Sequence, residues 1–260
     1  MDNRGLIILA RNGSSRLPRK SMLPLVGKPV LAHQIDRLKK SLRVRTPILA
    51  TTILEEDNSL CDVASECGLD IFRGHPEDVV RRMVDAGERF DLKFASIVGG
   101  DDVFCEGEFV DLVIAEHEKT GADFITIKDL PFGASPFGVS MSSLRKVLEL
   151  KGDGITDGWE RYLTDFNLFN TASIELGDPI LRHPELRLDL DYPEDFKLVT
   201  AIYAKLYTPG QVPSLRNVIR LLVEDEPELR LINRTAHEKW LNNRTRAQIS
   251  LEFASRKSTT

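Results

Sequence analysis

The sequence predicts an α/β fold, a mostly parallel sheet with helices on both faces, and three observations lead there. Short runs such as Leu6–Ala10 are apolar on successive residues, as strands buried on both sides are. Between these runs lie amphipathic segments with helical spacing, and the alternation persists to about residue 130. No Pro/Gly/Ser-rich linker divides the 260 residues, a length that suits one large domain with an appendage.

The elements follow in order. Leu6-Ile7-Ile8-Leu9-Ala10 is the first buried strand. After a loop, Gly27-Lys28-Pro29 opens a helix with Leu31, Ile35 and Leu38 at i, i+4 and i+7, and Pro29 suits its first turn. Residues 47–52 form the second strand, followed by a helix through Leu60, Val63 and Ala64 that stops at Gly68. A short third strand covers 69–72, and a helix covers 77–90 with Val80, Val84 and Gly87 on one face. Residues 94–98 are the fourth strand, 107–120 a helix and 122–127 the fifth strand. Beyond that the rhythm loosens: strand at 137–141, helix at 142–150, strand at 186–190, helix at 193–206 with Phe196, Val199 and Tyr203 inward. The division expected is a main domain over 1–208 and a helical extension over 209–260, frayed from Ser255.

Composition narrows the function classes. With 42% hydrophobic and 29% charged residues, 17 Gly and 13 Pro, collagen-like, low-complexity and disordered chains are excluded. The apolar runs are too short for a bilayer, and the first residues do not read as a secretory signal, so no membrane association is expected. Three cysteines, Cys61, Cys67 and Cys105, give neither a disulfide framework nor zinc-ligand spacing, which points to the reducing cytoplasm. A net charge of −5 argues against nucleic acid as a partner. Residues 1–50, however, hold eleven Lys and Arg against Asp2 and Asp36 alone, a local net of +9. Such a basic segment on an acidic body predicts a site for an anion.

That site is the loop leaving the first strand, Ala10-Arg11-Asn12-Gly13-Ser14-Ser15-Arg16-Leu17-Pro18-Arg19-Lys20. Ligands of open parallel sheets bind at the carboxyl ends of strands. Gly13 allows close backbone approach, Ser14 and Ser15 offer hydroxyls, and the arginines and lysine offer forks and point charges for a polyphosphate. It is neither a Walker loop nor a dinucleotide fingerprint. The run Ala-Arg-x-x-Ser-x-Arg-Leu-Pro-x-Lys, followed by Leu25-x-Gly27-Lys28-Pro29-x-Leu31, resembles the nucleotide loop of the cytidylyltransferases that activate acidic sugars, the CMP-Kdo synthetase and spore-coat-polysaccharide types. The resemblance implies a Rossmann-like nucleotidyltransferase (GT-A-like) fold. It also implies a CTP site in which Ala10, Arg11, Ser14, Ser15, Arg16 and Lys20 hold the nucleotide, with Arg11, Arg16 and Lys20 gripping its triphosphate during catalysis.

Two acidic segments follow apolar runs, Gly99-Gly100-Asp101-Asp102 and Asp189-Leu190-Asp191-Tyr192-Pro193-Glu194-Asp195. Nucleotidyl transfer calls for Mg²⁺, which takes one or two carboxylates plus phosphate oxygens and water. Gly100-Asp101 and Asp191-x-Pro193-Glu194-Asp195 resemble the Gly-Asp and Asp-x-Pro-Glu-Asp motifs of the same family, which implies Asp101 and Asp191 as the metal ligands. Asp195 suits a helix first turn instead, and Asp189 shares a strand face with Asp191. Asp102-Val103 departs from the family's usual Cys- or Glu-Pro. Phe72-Arg73-Gly74-His75-Pro76-Glu77-Asp78 resembles a run near the base and ribose in the spore-coat type, which implies Arg73 and Asp78 as nucleoside contacts, although Glu77 and Asp78 equally suit a helix cap. His75 reads as a turn residue, and His33 and His117 as helix-surface residues.

The activity implied is attack of an acceptor oxygen on the α-phosphorus of CTP, releasing pyrophosphate, with no evident general base. An anionic acceptor, an acidic sugar or a phosphorylated or phosphonate small molecule, would meet Lys128, Ser135, Trp159 and Arg161, although Trp159 and Tyr162 at i, i+3 equally suit packing. Two other classes compete: a glycosyltransferase of related fold using a nucleotide-sugar donor, and a non-catalytic nucleotide-binding protein. The first would want an Asp-x-Asp motif, and Asp101-Asp102 lacks the spacer.

Trp240, Leu241, Ile249 and Leu251 are large apolar residues in a charged segment, so the extension is expected to dock on its own domain or on a second subunit. A homodimer is the expectation, because relatives of the resembled family often pair. Sedimentation should show a dimer at micromolar concentration that truncation at Asn233 weakens; a monomer unaffected by the truncation rejects it.

Overall fold

The computed structural model describes residues 3–44, 46–152 and 158–246. Its strands are β1 (Arg4–Leu9), β2 (Pro24–Leu25), β3 (Lys28–Pro29), β4 (Ile48–Thr52), β5 (Asp70–Gly74), β6 (Phe94–Gly99), β7 (Phe124–Ile127), β8 (Phe137–Ser140) and β9 (Thr171–Ile174). The helices are α1 (Val30–Leu38), α2 (Asn58–Glu66), α3 (Val79–Arg89), α4 (Gly107–Thr120), α5 (Met141–Lys151), α6 (Arg161–Thr164), α7 (Pro193–Leu206), α8 (Leu215–Arg220) and α9 (Arg234–Arg246). Seven strands form one sheet in the order β5-β4-β1-β6-β8-β7-β9. All neighbours are parallel except β8, which runs antiparallel to both β6 and β7.

The central strands are apolar throughout because each face meets a different helix layer. Leu6, Ile8, Leu49 and Val98 point into one core with α1, α2, α4, α7 and α8. Ile7, Ile48, Ala50 and Ile97, one residue out of phase, point into the other with α3 and α5. The register Ile8↔Leu49 and Ile8↔Val98 aligns β1 with both neighbours, so the three chains leave the sheet side by side. α4 and α7 keep the bounds read from the sequence, and Gly121 ends α4 at φ +66°.

Four expectations change. Residues 186–190 do not join the sheet: the segment makes one parallel bridge, Phe132 to Arg187, and then the Leu190 N–H donates to the Asp101 carbonyl at 2.9 Å. It crosses the strand ends because the place beside β6 is already filled by β8. β9 was not expected, since Thr171-Ala172-Ser173-Ile174 is half-exposed and weakly apolar. The β2–β3 hairpin turns at Val26 and Gly27, both at positive φ (38° and 90°), and one pair of residues on each side leaves no periodicity to read. His33 is not a surface residue, and His117 is half-buried. His33 is fully buried, with Nε2 2.7 Å from the Leu25 carbonyl and its ring edge-on to Tyr203; His117 stacks on Phe94 at 4.0 Å.

The extension docks on its own domain. Leu215, Val218, Ile219 and Leu222 enter the α7-side core, and Trp240 lies against Phe132 with ring centroids 4.3 Å apart. Leu241 is exposed, and Ile249, Leu251 and the tail from Ser255 lie outside the described residues. Arg37 clasps this join. Its guanidinium, 1% exposed, reaches the Pro213 carbonyl and, at 3.1 Å, Glu106 Oε1, and that carboxylate oxygen also accepts the Leu215 N–H at 2.9 Å. Glu106→Ala strands a buried cation and should cost about 3–5 kcal/mol in chemical denaturation; Arg37→Met, which removes the charge, should cost less.

Candidate active site

The site begins where β1 and β6 end together. Asn12 turns the chain out of β1: its N–H donates to Asp57 Oδ1 at 2.7 Å, and its carbonyl accepts the N–H groups of Ser14 and Arg19 at 2.9 and 3.0 Å. Asp57 is fully buried and also accepts from Thr52 at the end of β4, so one carboxylate fixes two strand exits. Arg19 takes a left-handed conformation (φ 55°) and starts the short helical turn Lys20–Met22, which aims Lys20 back over the sheet edge. Gly100 lets β6's exit lie against Ala10, where a Cβ would come within 2.7 Å of the alanine methyl. Gln34 of α1 holds that exit through the carbonyls of Gly99 (2.6 Å) and Asp102 (3.1 Å).

Lys20 Nζ lies 2.6 Å from Asp101 Oδ2 and 3.0 Å from Asp191 Oδ1, and Arg16 Nε lies 2.6 Å from Asp191 Oδ2. Four residues expected in the site thus converge, although 171 positions separate Lys20 from Asp191. The side chain of Asp191 is 4% exposed, that of Lys20 13%, and that of Asp101 34%. Burial alone would lower the lysine pKa, but Asp101 and then Asp191 outweigh it and raise it. Burial would raise the Asp191 pKa, yet Lys20 and Arg16 hold it below the usual carboxylate range. Asp102 closes the turn by accepting the Gly99 N–H at 2.8 Å; burial, with Asp101 beside it, pushes its carboxyl up to about 8. Val103, the next residue, is fully buried.

The Lys20 ammonium lies between the two carboxylates implied as metal ligands, so the gap between them already holds a cation. Asp191 also lies off the sheet, on the crossing segment, and not at a sheet-strand end. Its backbone is set by Asp195, whose Oδ2 accepts the N–H groups of Asp191 at 3.0 Å and Tyr192 at 2.8 Å. Asp195 therefore does more than favour the α7 terminus. Asp189 pairs with Arg187 at 2.9 Å, its other oxygen lacks a hydrogen-bond partner among the described residues, and burial pushes its carboxyl well up. Gly133, at φ +84°, sits so close to the Asp189 backbone that no side chain fits.

Other expected residues serve elsewhere. Arg73 donates its guanidinium to the Thr52 and Leu54 carbonyls and Asn58 Oδ1, bracing the β4–α2 join. Asp78 caps α3 through the Arg81 N–H (3.0 Å) and pairs with buried Lys151 at 2.7 Å, the capping alternative. His75 is a turn residue, accepting the Asp78 N–H at 2.8 Å. Arg11 donates to the Pro76 carbonyl at 3.2 Å, tying the basic loop to that turn. Ser14 Oγ receives the Leu17 N–H at 3.4 Å, and Ser15 is exposed. In the acceptor set, Trp159 is a core residue at 7% exposure, edge-on to Phe137 and Phe124, because the α5–α6 face needs its ring there. Lys128 pairs with Glu175 and Arg161 with Asp165, each at 2.8 Å, while Ser135 bonds the Pro136 carbonyl at 3.1 Å. Asn12, Gln34 and Asp57 escaped the sequence reading, since a buried Asp in Glu55-Glu56-Asp57 looks like part of a solvated charge run.

A parallel sheet whose first loop carries cations over paired carboxylates defines a nucleotidyltransferase-like protein. Residues 6–157 match the family model described as cytidylyltransferase, so the chain belongs to the cytidylyltransferase family and is a nucleotidyltransferase enzyme. It is 28% identical to an uncharacterised protein of Methanocaldococcus jannaschii, over 90% of this chain and 95% of that one. It is 27% identical to the spore coat polysaccharide biosynthesis protein SpsF of Bacillus subtilis, over 76% of this chain and 85% of that one. The fold is shared with a cytidylyltransferase from Leptospira borgpetersenii (TM-score 0.77, 20% identity, 88% of this chain and 97% of that one). It is also shared with a CMP:2-keto-3-deoxy-manno-octonic acid synthetase solved with CTP (TM-score 0.60, 16% identity, 78% and 99%). Family membership sets aside the glycosyltransferase and non-catalytic readings. Among the described residues no helix is long and apolar enough to cross a membrane.

Asp191→Asn should destabilise by about 2–3 kcal/mol at neutral pH, less than a wholly buried pair because Arg16 is half-exposed. The sign follows from the lowered pKa. The stabilisation is complete above the unfolded value of about 4 and is lost as pH falls through the lower folded value. Thermal melts of wild type and variant should therefore converge toward acid.

Proposed function

We propose that the chain transfers the cytidylyl group of CTP to an oxygen of an anionic small-molecule acceptor, releasing pyrophosphate, with Mg²⁺ as cofactor. The observation that carries this is the Lys20 ammonium held between Asp101 and Asp191 beneath the basic loop. Arg16 and Lys20 are matched charge for charge by these acids, so the pair alone offers a triphosphate little net attraction. A divalent ion would supply the missing positive charge and orient the phosphates. The donor set fits it: hard carboxylate oxygens, with Asp101 the more exposed. Among the described residues no group of three or more His, Cys, Asp or Glu is placed to hold a metal ion, so phosphate and water would have to complete the shell of an ion held by two carboxylates.

Asp101 and Asp191 would hold the ion, and phosphate oxygens would take the place of the carboxylates on Lys20 and Arg16. Exchanging one anionic partner for another keeps both cations neutralised, so they are oriented before the nucleotide arrives. Ala10, Arg11, Ser14 and Ser15 line the same loop. The acceptor class favoured is an acidic sugar, supported by relatives named 3-deoxy-manno-octulosonate cytidylyltransferase and by the spore coat polysaccharide relative. A phosphorylated or phosphonate acceptor meets the same cations. The product would feed a cell-surface polysaccharide.

A pyrophosphate-release screen of the four NTPs against acidic sugars, phosphosugars and phosphonates tests the reading. CTP should be preferred, and removing Mg²⁺ with EDTA should stop the reaction. Lys20→Ala should cost about 3 kcal/mol of transition-state stabilisation, and Asp101→Asn should abolish turnover. Unchanged turnover in Lys20→Ala sinks the site; equal use of UTP or GTP removes the cytidylyl assignment.

A further inference from the structure

Asp191 owes its place to a carboxylate four residues on, and that carboxylate is gripped from the C-terminal extension. Asp195 is 1% exposed; its Oδ2 fixes the Asp191 and Tyr192 N–H groups, and its Oδ1 accepts Asn233 Nδ2 at 2.9 Å. Arg187 also faces Asp195, but both contacts are long, 3.4 Å each. The amide of Asn233 is therefore the tighter hold, since N–H···O bonds weaken beyond about 3.2 Å. A carboxylate is rigid and planar, so tilting Oδ1 swings Oδ2 and the backbone that depends on it.

Asn233 is itself anchored. It is 4% exposed, its Nδ2 also donates to the Arg187 carbonyl at 3.1 Å, and its carbonyl receives the His237 N–H in the first turn of α9. Seven residues along that helix, on the same face, Trp240 lies 5.3 Å from the Arg187 guanidinium, which also meets the rings of Phe132 (5.5 Å) and Tyr192 (5.7 Å). Asn233 and Trp240 thus bracket Arg187 from one helix.

We propose that Asn233, together with Arg187, positions the Asp191 carboxylate through Asp195, so that the C-terminal extension completes the active site. The inference rests on the reading of Asp191 as a residue of that site. Asn233 is a positioning residue: it touches neither the reacting atoms nor Lys20.

The full chain carrying Asn233→Ala or Asn233→Asp tests this by two readouts. In hydrogen–deuterium exchange, the Asp191 and Tyr192 amides should exchange about tenfold faster, while β1 amides keep wild-type protection. In pyrophosphate release from CTP and Mg²⁺ with 3-deoxy-manno-octulosonate, or whichever acceptor the screen identifies, kcat should fall about ten- to a hundredfold with KM for CTP within about threefold. Asn233→Asp, isosteric but repelling Asp195, should lose more than Asn233→Ala, and Asn233→Ser is the milder variant if either fails to fold. Val218→Ala, a packing change in α8, should lower the melting temperature without altering kcat or the exchange at Asp191. Wild-type exchange at Asp191, or wild-type kcat in the Asn233 variants while Asp191→Asn is inactive, overturns this proposal alone. Full turnover in Asp191→Asn overturns the site reading and this proposal with it.

Discussion

The Lys20 ammonium, 2.6 Å from Asp101 and 3.0 Å from Asp191, binds together three chain segments that the sheet would otherwise release as separate loops. Burial disfavours charge on the Lys20 ammonium and on the Asp191 carboxylate, and each charge is favoured by the opposite charges beside it. The basic loop is closed onto the β6 exit on one side and onto the crossing segment on the other.

The rest of the structure supplies rigid mounts for those groups. Asp57 and Asn12 hold the loop's start, Gln34 holds the β6 turn, and Asp195 holds the crossing segment. All four are buried polar groups, and each makes at least one side-chain hydrogen bond to backbone. Such residues contribute little net stability, but they exclude alternative loop conformations. The antiparallel β8 has a related effect: by filling the place beside β6, it directs residues 186–190 across the strand ends, where Leu190 bonds to Asp101.

The extension is an integral layer. Arg37, Glu106, Pro213 and Leu215 tie its start into the α1–α4 face, and Asn233 and Trp240 tie its end to the Arg187–Asp195 pair. The electrostatics of the site and the packing of the C-terminal helix therefore share residues.

The sequence by itself determined the parallel core and the convergence of Arg16 and Lys20 with Asp101 and Asp191. Uniformly apolar strands and helical spacing are local signals, and the ordered basic and acidic motifs resemble one family over long runs. Only the tertiary structure decided what fills the gap between the acids, that Arg73 and Asp78 brace backbone, and that Trp159 and His33 are buried. It also placed Asp191 on a crossing segment and brought Asn233 to it. A side chain's partner is set by which surfaces the fold brings together, and neither spacing nor composition records a hydrogen bond across 38 residues.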